Sequence, residues 1–372
     1  MKQWHFKTSY FPLILLLVSV LSYGILIPWL GFYWDDWPYA YLNHLLGPTG
    51  FPTFVASDRP FSAWIFMATT WLFGEHPLGY HLLALVLRWL TAVLVWWSLR
   101  QVWPKRSREI GWIALLFAVY PGFKQQPIAL IYNHHFSVLA LFLLSLGGMI
   151  LAVRKPKWYW PLTILSMAGA ASMFSIEYFF GLEFLRPIFL WLVIGETTAA
   201  KRTRLKQTLL HWLPYLAVMV TFLVWRVFIF KFPTYQPDLI TAAPQALPET
   251  FFPKVVRELF SAGLLAWITT VFPQGLSSAG IKATLVYAAL VGASTILLVF
   301  FLVRSETSPT KELDNKEQRQ WGIQCTIIGL LALVSAGIPT WVNNLPVRLL
   351  FPWDRLTLVF MIRSSMFLVA LL

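Results

Sequence analysis

The run Phe32-Tyr33-Trp34-Asp35-Asp36-Trp37-Pro38 sets two adjacent carboxylates among aromatic rings. Like charges in contact, beside apolar surroundings, resist double ionisation. One acid of such a pair is a candidate for a raised pKa and for general-base work. The plainer reading is a helix cap beside a solvated loop acid. More polar residues follow: Asp58 and Arg59 before Pro60, Glu75 and His76 before Pro77, then Lys124, Gln125 and Gln126. Beyond them lie Tyr132-Asn133-His134-His135, Glu177, and the group Arg348, Asp354 and Arg355. Arg59 fits an anion-binding role and equally an anchor to lipid head groups. His134 and His135 offer metal-ligand chemistry, but adjacent histidines leave a helix in different directions. A hydrogen-bonded or substrate-contacting pair suits them better, so a divalent metal stays an option and no cofactor is assigned. His81 and Arg88, seven apart, share one helix face and satisfy each other or a backbone carbonyl. Glu177 reads as a helix-end acid and Glu183 as a packing acid.

The elements that must position these residues are set by composition. Of 372 residues 58% are hydrophobic and 12% charged, with 30 Phe, 20 Trp and 13 Tyr. Soluble domains carry about 25% charged residues, and a mean hydropathy of +0.65 leaves too little polar cover for one soluble core. This excludes an ordinary soluble enzyme and a disordered chain. The expected fold is all-α, a polytopic transmembrane bundle of about ten spans. The spans fall near 10–30, 77–99, 109–121, 131–153, 158–176, 179–196, 211–230, 280–303, 321–341 and 356–372. The third is short. Residues 60–73 are rich in Trp and Phe and read as a helix lying in the interface. Residues 254–273 are expected against the outer leaflet or within the bundle rather than across the membrane.

Orientation follows from the basic residues. With a cytoplasmic N-terminus, the segments 1–9, 100–109, 154–157, 201–206 and 304–320 hold seventeen of the 29 Lys and Arg. The net charge of +13 therefore reads as the positive-inside bias, not as a nucleic-acid face. The multi-pass chain is expected in the plasma membrane, with membrane lipids as partners and Asp35 and Asp36 at the extracytoplasmic rim. The first helix, about 31 Å long, matches the hydrocarbon thickness. It reads as retained rather than as a cleaved signal. Cys325 is the only cysteine, so neither a disulfide framework nor a thiolate cluster is expected. The chain reads as one domain over 1–372, with the loop 31–76 carrying the site. The last apolar run stops at Leu372 without a polar flank, which suggests truncation within a helix.

Neither a Gly-x-x-x-x-Gly-Lys nor a Gly-x-Gly-x-x-Gly pattern is present. An outward site without them needs an energised donor already in the membrane. The Asp-Asp pair after the first helix resembles the GT-C glycosyltransferases, which use polyprenyl-phosphate sugars and include protein O-mannosyltransferases and lipid A aminoarabinose transferases. So do Arg59-Pro60-Phe61-Ser62-Ala63-Trp64 and the stretch from Leu72-Phe73-Gly74 to Tyr80-His81-Leu82. The likeness is clearest over 10–103, and Trp353-Asp354-Arg355 looks like an outer-loop element of bacterial members.

That resemblance implies an inverting, single-step transfer from a lipid-phosphate-linked sugar to a glycan, lipid or protein acceptor. Asp35 matches the general base and Asp36 the second acidic position. The pair is Asp-Asp where protein mannosyltransferases carry Asp-Glu, which counts against a protein acceptor. A phosphate leaving group needs fixed positive charge, for which Arg59, Lys124, Arg348 and Arg355 are candidates. Asp58, His76, His134, His135 and Asp354 complete the expected substrate-binding set. Trp34 and Trp37 are candidates to stack on a sugar. The competing expectation is a polytopic transporter or lipid flippase without covalent chemistry, a class that carries charged residues near the bilayer midplane.

Overall fold

The structure, a computed structural model, describes residues 10–230, 252–271, 315–343 and 345–371, with isolated positions between 285 and 296. Among the described residues there are helices and turns but no strands. Five helical stretches are long and apolar enough to cross a membrane: Phe11–Trp29, Pro77–Val102, Ala129–Arg154, Lys201–Ile229 and Glu317–Val342. The span expected over 280–303 and most of the strip 304–320 lie outside the described residues. Other expected spans form shorter or interrupted helices. We label the first stretch α1 (Phe11–Trp29), which loosens into a wider turn at Val20–Gly24 and tightens at Ile27–Trp29.

Three short helices follow: α2 (Asp36–Leu46), α3 (Phe51–Val55) and α4 (Ala63–Phe73). The chain stops α2 at Gly47 and α4 at Gly74, whose φ values of 65° and 57° suit glycine. In α4, Ile65, Phe66, Thr69 and Thr70 are buried, while Trp64, Trp71 and Leu72 are exposed. Next come α5 (Pro77–Val102), α6 (Ser107–Ala118), α7 (Ala129–Arg154), α8 (Tyr159–Ala170), α9 (Leu185–Ile194) and α10 (Lys201–Ile229). Pro77 opens α5 where a missing N–H costs nothing. At 12 residues α6 is about 18 Å long, too short to span alone.

The centre of the bundle is α7, buried along most of its length. Small residues let its neighbours close on it, as lipid-phase packing requires. Gly147 admits the ring of Trp97 from α5, and Gly148 admits Ser166 from α8. Ser98 Oγ donates to Leu143 O at 3.0 Å, and Ser145 Oγ donates to Ser166 O.

The remaining helices are α11 (Phe252–Phe260), α12 (Ala266–Val271), α13 (Asn315–Val342) and α14 (Met361–Leu371). Of the two placements expected for 254–273, the described part lies within the bundle. Tyr120 Oη donates to Ala262 O (2.7 Å), Ser364 Oγ to Gly263 O (2.9 Å) and Trp341 Nε1 to Glu258 Oε2 (2.8 Å).

Buried charge is handled explicitly. Glu183, expected as a packing acid, receives Arg186 Nε at 2.5 Å and Nη2 at 2.9 Å, and both side chains are fully enclosed. His81 and Arg88 each take backbone carbonyls rather than each other. His81 Nε2 meets Gly31 O at 2.9 Å and Arg88 Nε donates to Ala118 O at 2.9 Å. Breaking a buried pair from one side leaves an uncompensated charge. Glu183→Ala is expected to destabilise the protein by about 3–5 kcal/mol. Joint replacement, Glu183→Leu with Arg186→Met, should recover most of that loss in thermal unfolding of the purified protein.

Candidate functional site

The loop between α1 and α2 is held in an uncommon backbone state. Trp34 has φ 46°, a left-handed conformation that costs a bulky residue about 1–3 kcal/mol and clusters at functional sites. Its ring meets the edge of Phe351 at 4.7 Å between centroids. The turn directs the next two acids to different places.

Asp36 is fully buried. Its Oδ1 accepts the N–H of Ile131 at 3.1 Å, in the open first turn of α7. Helix N-termini leave amides without intrahelical partners and carry partial positive charge, so a carboxylate there acts as a cap supplied by another helix. Burial pushes Asp36 up to about 7, against the lowering effect of amides from Ile131, Tyr33, Leu130 and Ala129. Its Oδ2 has no hydrogen-bond partner among the described residues.

Asp35 is half-buried, and its Oδ2 lies 3.8 Å from Arg355 Nη1. It makes no capping bond to its own helix. Burial raises its pKa and the Arg355 guanidinium partly offsets that rise. The pair thus divides: Asp36 caps a helix, although not its own, and Asp35 is the accessible acid.

Arg355 reaches Asp35 because Asp354 anchors its segment. Asp354 is buried and accepts Lys124 N at 3.1 Å and Gln125 Nε2 at 2.7 Å. Tyr132 Oη donates to Gln125 Oε1 at 2.5 Å, extending the chain to α7. Lys124 Nζ donates to Leu349 O at 3.2 Å. Asp354, expected to bind substrate, is a structural acceptor in this arrangement.

A second cluster forms around Arg59. Its Nη1 meets Asp58 Oδ2 at 2.7 Å, its Nη2 meets Glu177 Oε1 at 3.1 Å, and its guanidinium lies 5.7 Å from the Tyr178 ring centroid. Burial alone would raise the Glu177 carboxyl, but Arg59 outweighs it and holds Glu177 below the usual range. Burial would likewise lower Arg59, and Glu177 and Asp58 more than compensate. His135 joins this cluster, its ring 5.2 Å from Tyr178 and 4.8 Å from Tyr132. His134 packs on Phe66 at 5.2 Å, and its Nε2 lacks a partner among the described residues.

Tyrosines connect the two clusters. Tyr39 senses Asp35 as well as Asp58 and Arg59, and burial pushes it up to about 12. Tyr178, raised by burial, senses both Arg59 and Arg355. Both stay neutral near pH 7 and can donate hydrogen bonds. Beside the Asp35 loop a cleft of about 210 Å³ has mostly apolar walls, including Tyr23, Leu26, Leu30, His81, Leu85 and Lys124.

No family model matches the chain, and no curated protein or solved structure matches it either.

Asp35, Arg355, Arg59, Asp58, Lys124, His134 and His135 therefore come together around the heads of α2 and α7. His76 and Arg348 are exposed and make no side-chain hydrogen bond or ion pair among the described residues. Glu177, taken from the sequence as a helix-end acid, is Arg59's partner across 118 positions. Tyr39, Tyr178, Gln125 and Arg226 were not singled out as site residues, yet Arg226 lies close enough to influence Glu177. Of these, only Gln125 carried a local signal, in the polar run Lys124-Gln125-Gln126. Among the described residues no group of three His, Cys, Asp or Glu side chains is arranged to hold a metal ion.

The Asp36 cap predicts a pH effect with a definite sign. An acid raised from 3.8 to about 7 holds its proton more tightly folded than unfolded. Its stabilising contribution is full below pH 3.8 and is lost as pH rises through about 7. Asp36→Asn keeps the acceptor and should flatten that part of the thermal-stability profile. Asp36→Ala removes the cap and should cost about 1–2 kcal/mol.

Proposed function

We propose that this chain is a membrane glycosyltransferase that moves a sugar from a polyprenyl-phosphate-linked donor to an acceptor hydroxyl. The observation that carries the reading is Asp35, a half-buried carboxylate with a raised pKa whose Oδ2 lies 3.8 Å from Arg355 Nη1. The ten-span bundle, with α4 in the interface, belongs to this proposal. So do a plasma-membrane location, a cytoplasmic N-terminus and an extracytoplasmic site. The exposed Trp64 and Trp71 of α4 support the interfacial placement.

In this reaction the acceptor hydroxyl attacks the anomeric carbon from the face opposite the phosphate. Its proton passes to Asp35, the new C–O bond forms, and the bond to the phosphate oxygen breaks with inversion. Negative charge grows on the leaving phosphate, where preorganised cations give the largest stabilisation. Arg355, Lys124 and Arg59 are the groups for that role. Asp36 acts as a positioning residue through α7. Trp34 and Phe351, both exposed, offer ring faces to a sugar, and the cleft beside Lys124 suits a hydrocarbon chain. Two adjacent acids that point apart do not fit glycoside hydrolysis, which needs carboxylates flanking the sugar.

Transport without covalent chemistry is a second reading, favoured by the full burial of Arg88, Arg186 and Arg363. Proteoliposomes supplied with polyprenyl-phosphate-linked hexoses or pentoses separate the two. Transferase action predicts a glycosylated product, a loss of about 10²-fold or more in Asp35→Asn, and a clear loss in Arg355→Gln. Unchanged transfer in Asp35→Asn removes the proposed base. Movement of the lipid-linked sugar across the bilayer with no product supports transport instead.

A further inference from the structure

Three arginines are completely enclosed in the described bundle: Arg88, Arg186 and Arg363. Two have their donors engaged. Arg186 pairs with both oxygens of Glu183, donates to Ser145 Oγ at 2.9 Å, and lies 4.6 Å from the Tyr215 ring centroid. Arg88 uses Ala118 O at 2.9 Å, Tyr23 Oη at 2.8 Å and Tyr120 O at 3.4 Å. Arg363, on α14, differs: Nε, Nη1 and Nη2 are all buried and none has an acceptor among the described residues. A buried guanidinium left with five unmet N–H donors is costly.

The charge is also unbalanced. Arg88 Nη1 meets Met361 Sδ at 3.9 Å, two positions before Arg363 on the same helix, and none of Arg88's partners is a carboxylate. The buried acids of the described chain are committed elsewhere. Glu183 serves Arg186, Glu258 takes Trp341 Nε1, Asp36 caps α7, and Asp354 holds Lys124 N and Gln125. Two guanidiniums therefore sit in a low-dielectric interior with no counter-charge among the described residues. Ordered water supplies acceptors but no negative charge, and charge-assisted bonds to an anion are stronger than neutral ones.

We propose that Arg363 holds a small inorganic anion of the halide class inside the bundle. The site is separate from Asp35 and does not depend on the transferase reading. The test uses the detergent-purified chain in buffers of constant ionic strength in which chloride replaces gluconate. The melting temperature of the wild type should rise by about 3 °C or more and saturate, as binding to the folded state alone requires. Arg363→Met should show no chloride-dependent rise. A flat wild-type profile, or an equal rise in Arg363→Met, overturns the proposal. Bromide-soaked crystals of the wild type add a readout independent of any variant's folding. Anomalous density against the Arg363 guanidinium is expected, and its absence at saturating bromide overturns the assignment.

Discussion

The Asp36 carboxylate at the open end of α7 is the contact on which the candidate site depends. An isolated buried acid is costly, and so is a buried row of unpaired amides. Bringing the two together lowers both costs and joins the first polar loop to the central helix of the bundle. Because Asp36 turns inward, its neighbour turns toward solvent. Because α7 is the helix engaged, Tyr132, His134 and His135 face the same region. The left-handed backbone at Trp34 is the local strain that accompanies this turn.

The opposite wall is assembled on the same principle. Asp354 is buried against the amide of Lys124 and the amide group of Gln125, which sets the adjacent Arg355 beside Asp35. Arg59 is held from two sides by Asp58 and Glu177. At Asp36–Asp35 and at Asp354–Arg355 one ionisable group is enclosed and hydrogen-bonded, and a neighbour one position away stays accessible. A buried, satisfied partner costs an exposed group little freedom, so the accessible charge is preorganised rather than mobile. The arginines of the bundle interior have their donors engaged except at Arg363, to which no described residue supplies a partner.

Much of the fold was legible because its signals are local. A long apolar run with few charges has no stable alternative to helix in a membrane, so α1, α5, α7, α10 and α13 were legible as helices, although α10 and α13 begin at Lys201 and Asn315, ahead of the expected 211 and 321. The segments between them were less legible. The apolar runs near 109–121 and 158–176 look like spans by composition, yet α6 and α8 have 12 residues each. Their ends are set by packing against α5 and α7, which hydropathy does not encode. The helix at 252–271 carried two readings, and hydrogen bonds from Tyr120, Ser364 and Trp341 place it in the bundle.

The site divides along the same line. Residue type and nearness to a helix end marked Asp35, Asp36, Arg59, Lys124, His134, His135 and Arg355, because charge is rare in this chain and collects where helices emerge. Sequence alone determined that this is a helical membrane protein and that its unusual carboxylates follow the first helix. The tertiary structure decided which acid is accessible and which is a cap, that Glu177 belongs to Arg59, and that Arg355 faces Asp35. Those outcomes depend on distances between residues far apart in the chain. Burial and pairing energies are fixed only when helices meet, and adjacent positions that look alike in sequence then take opposite environments.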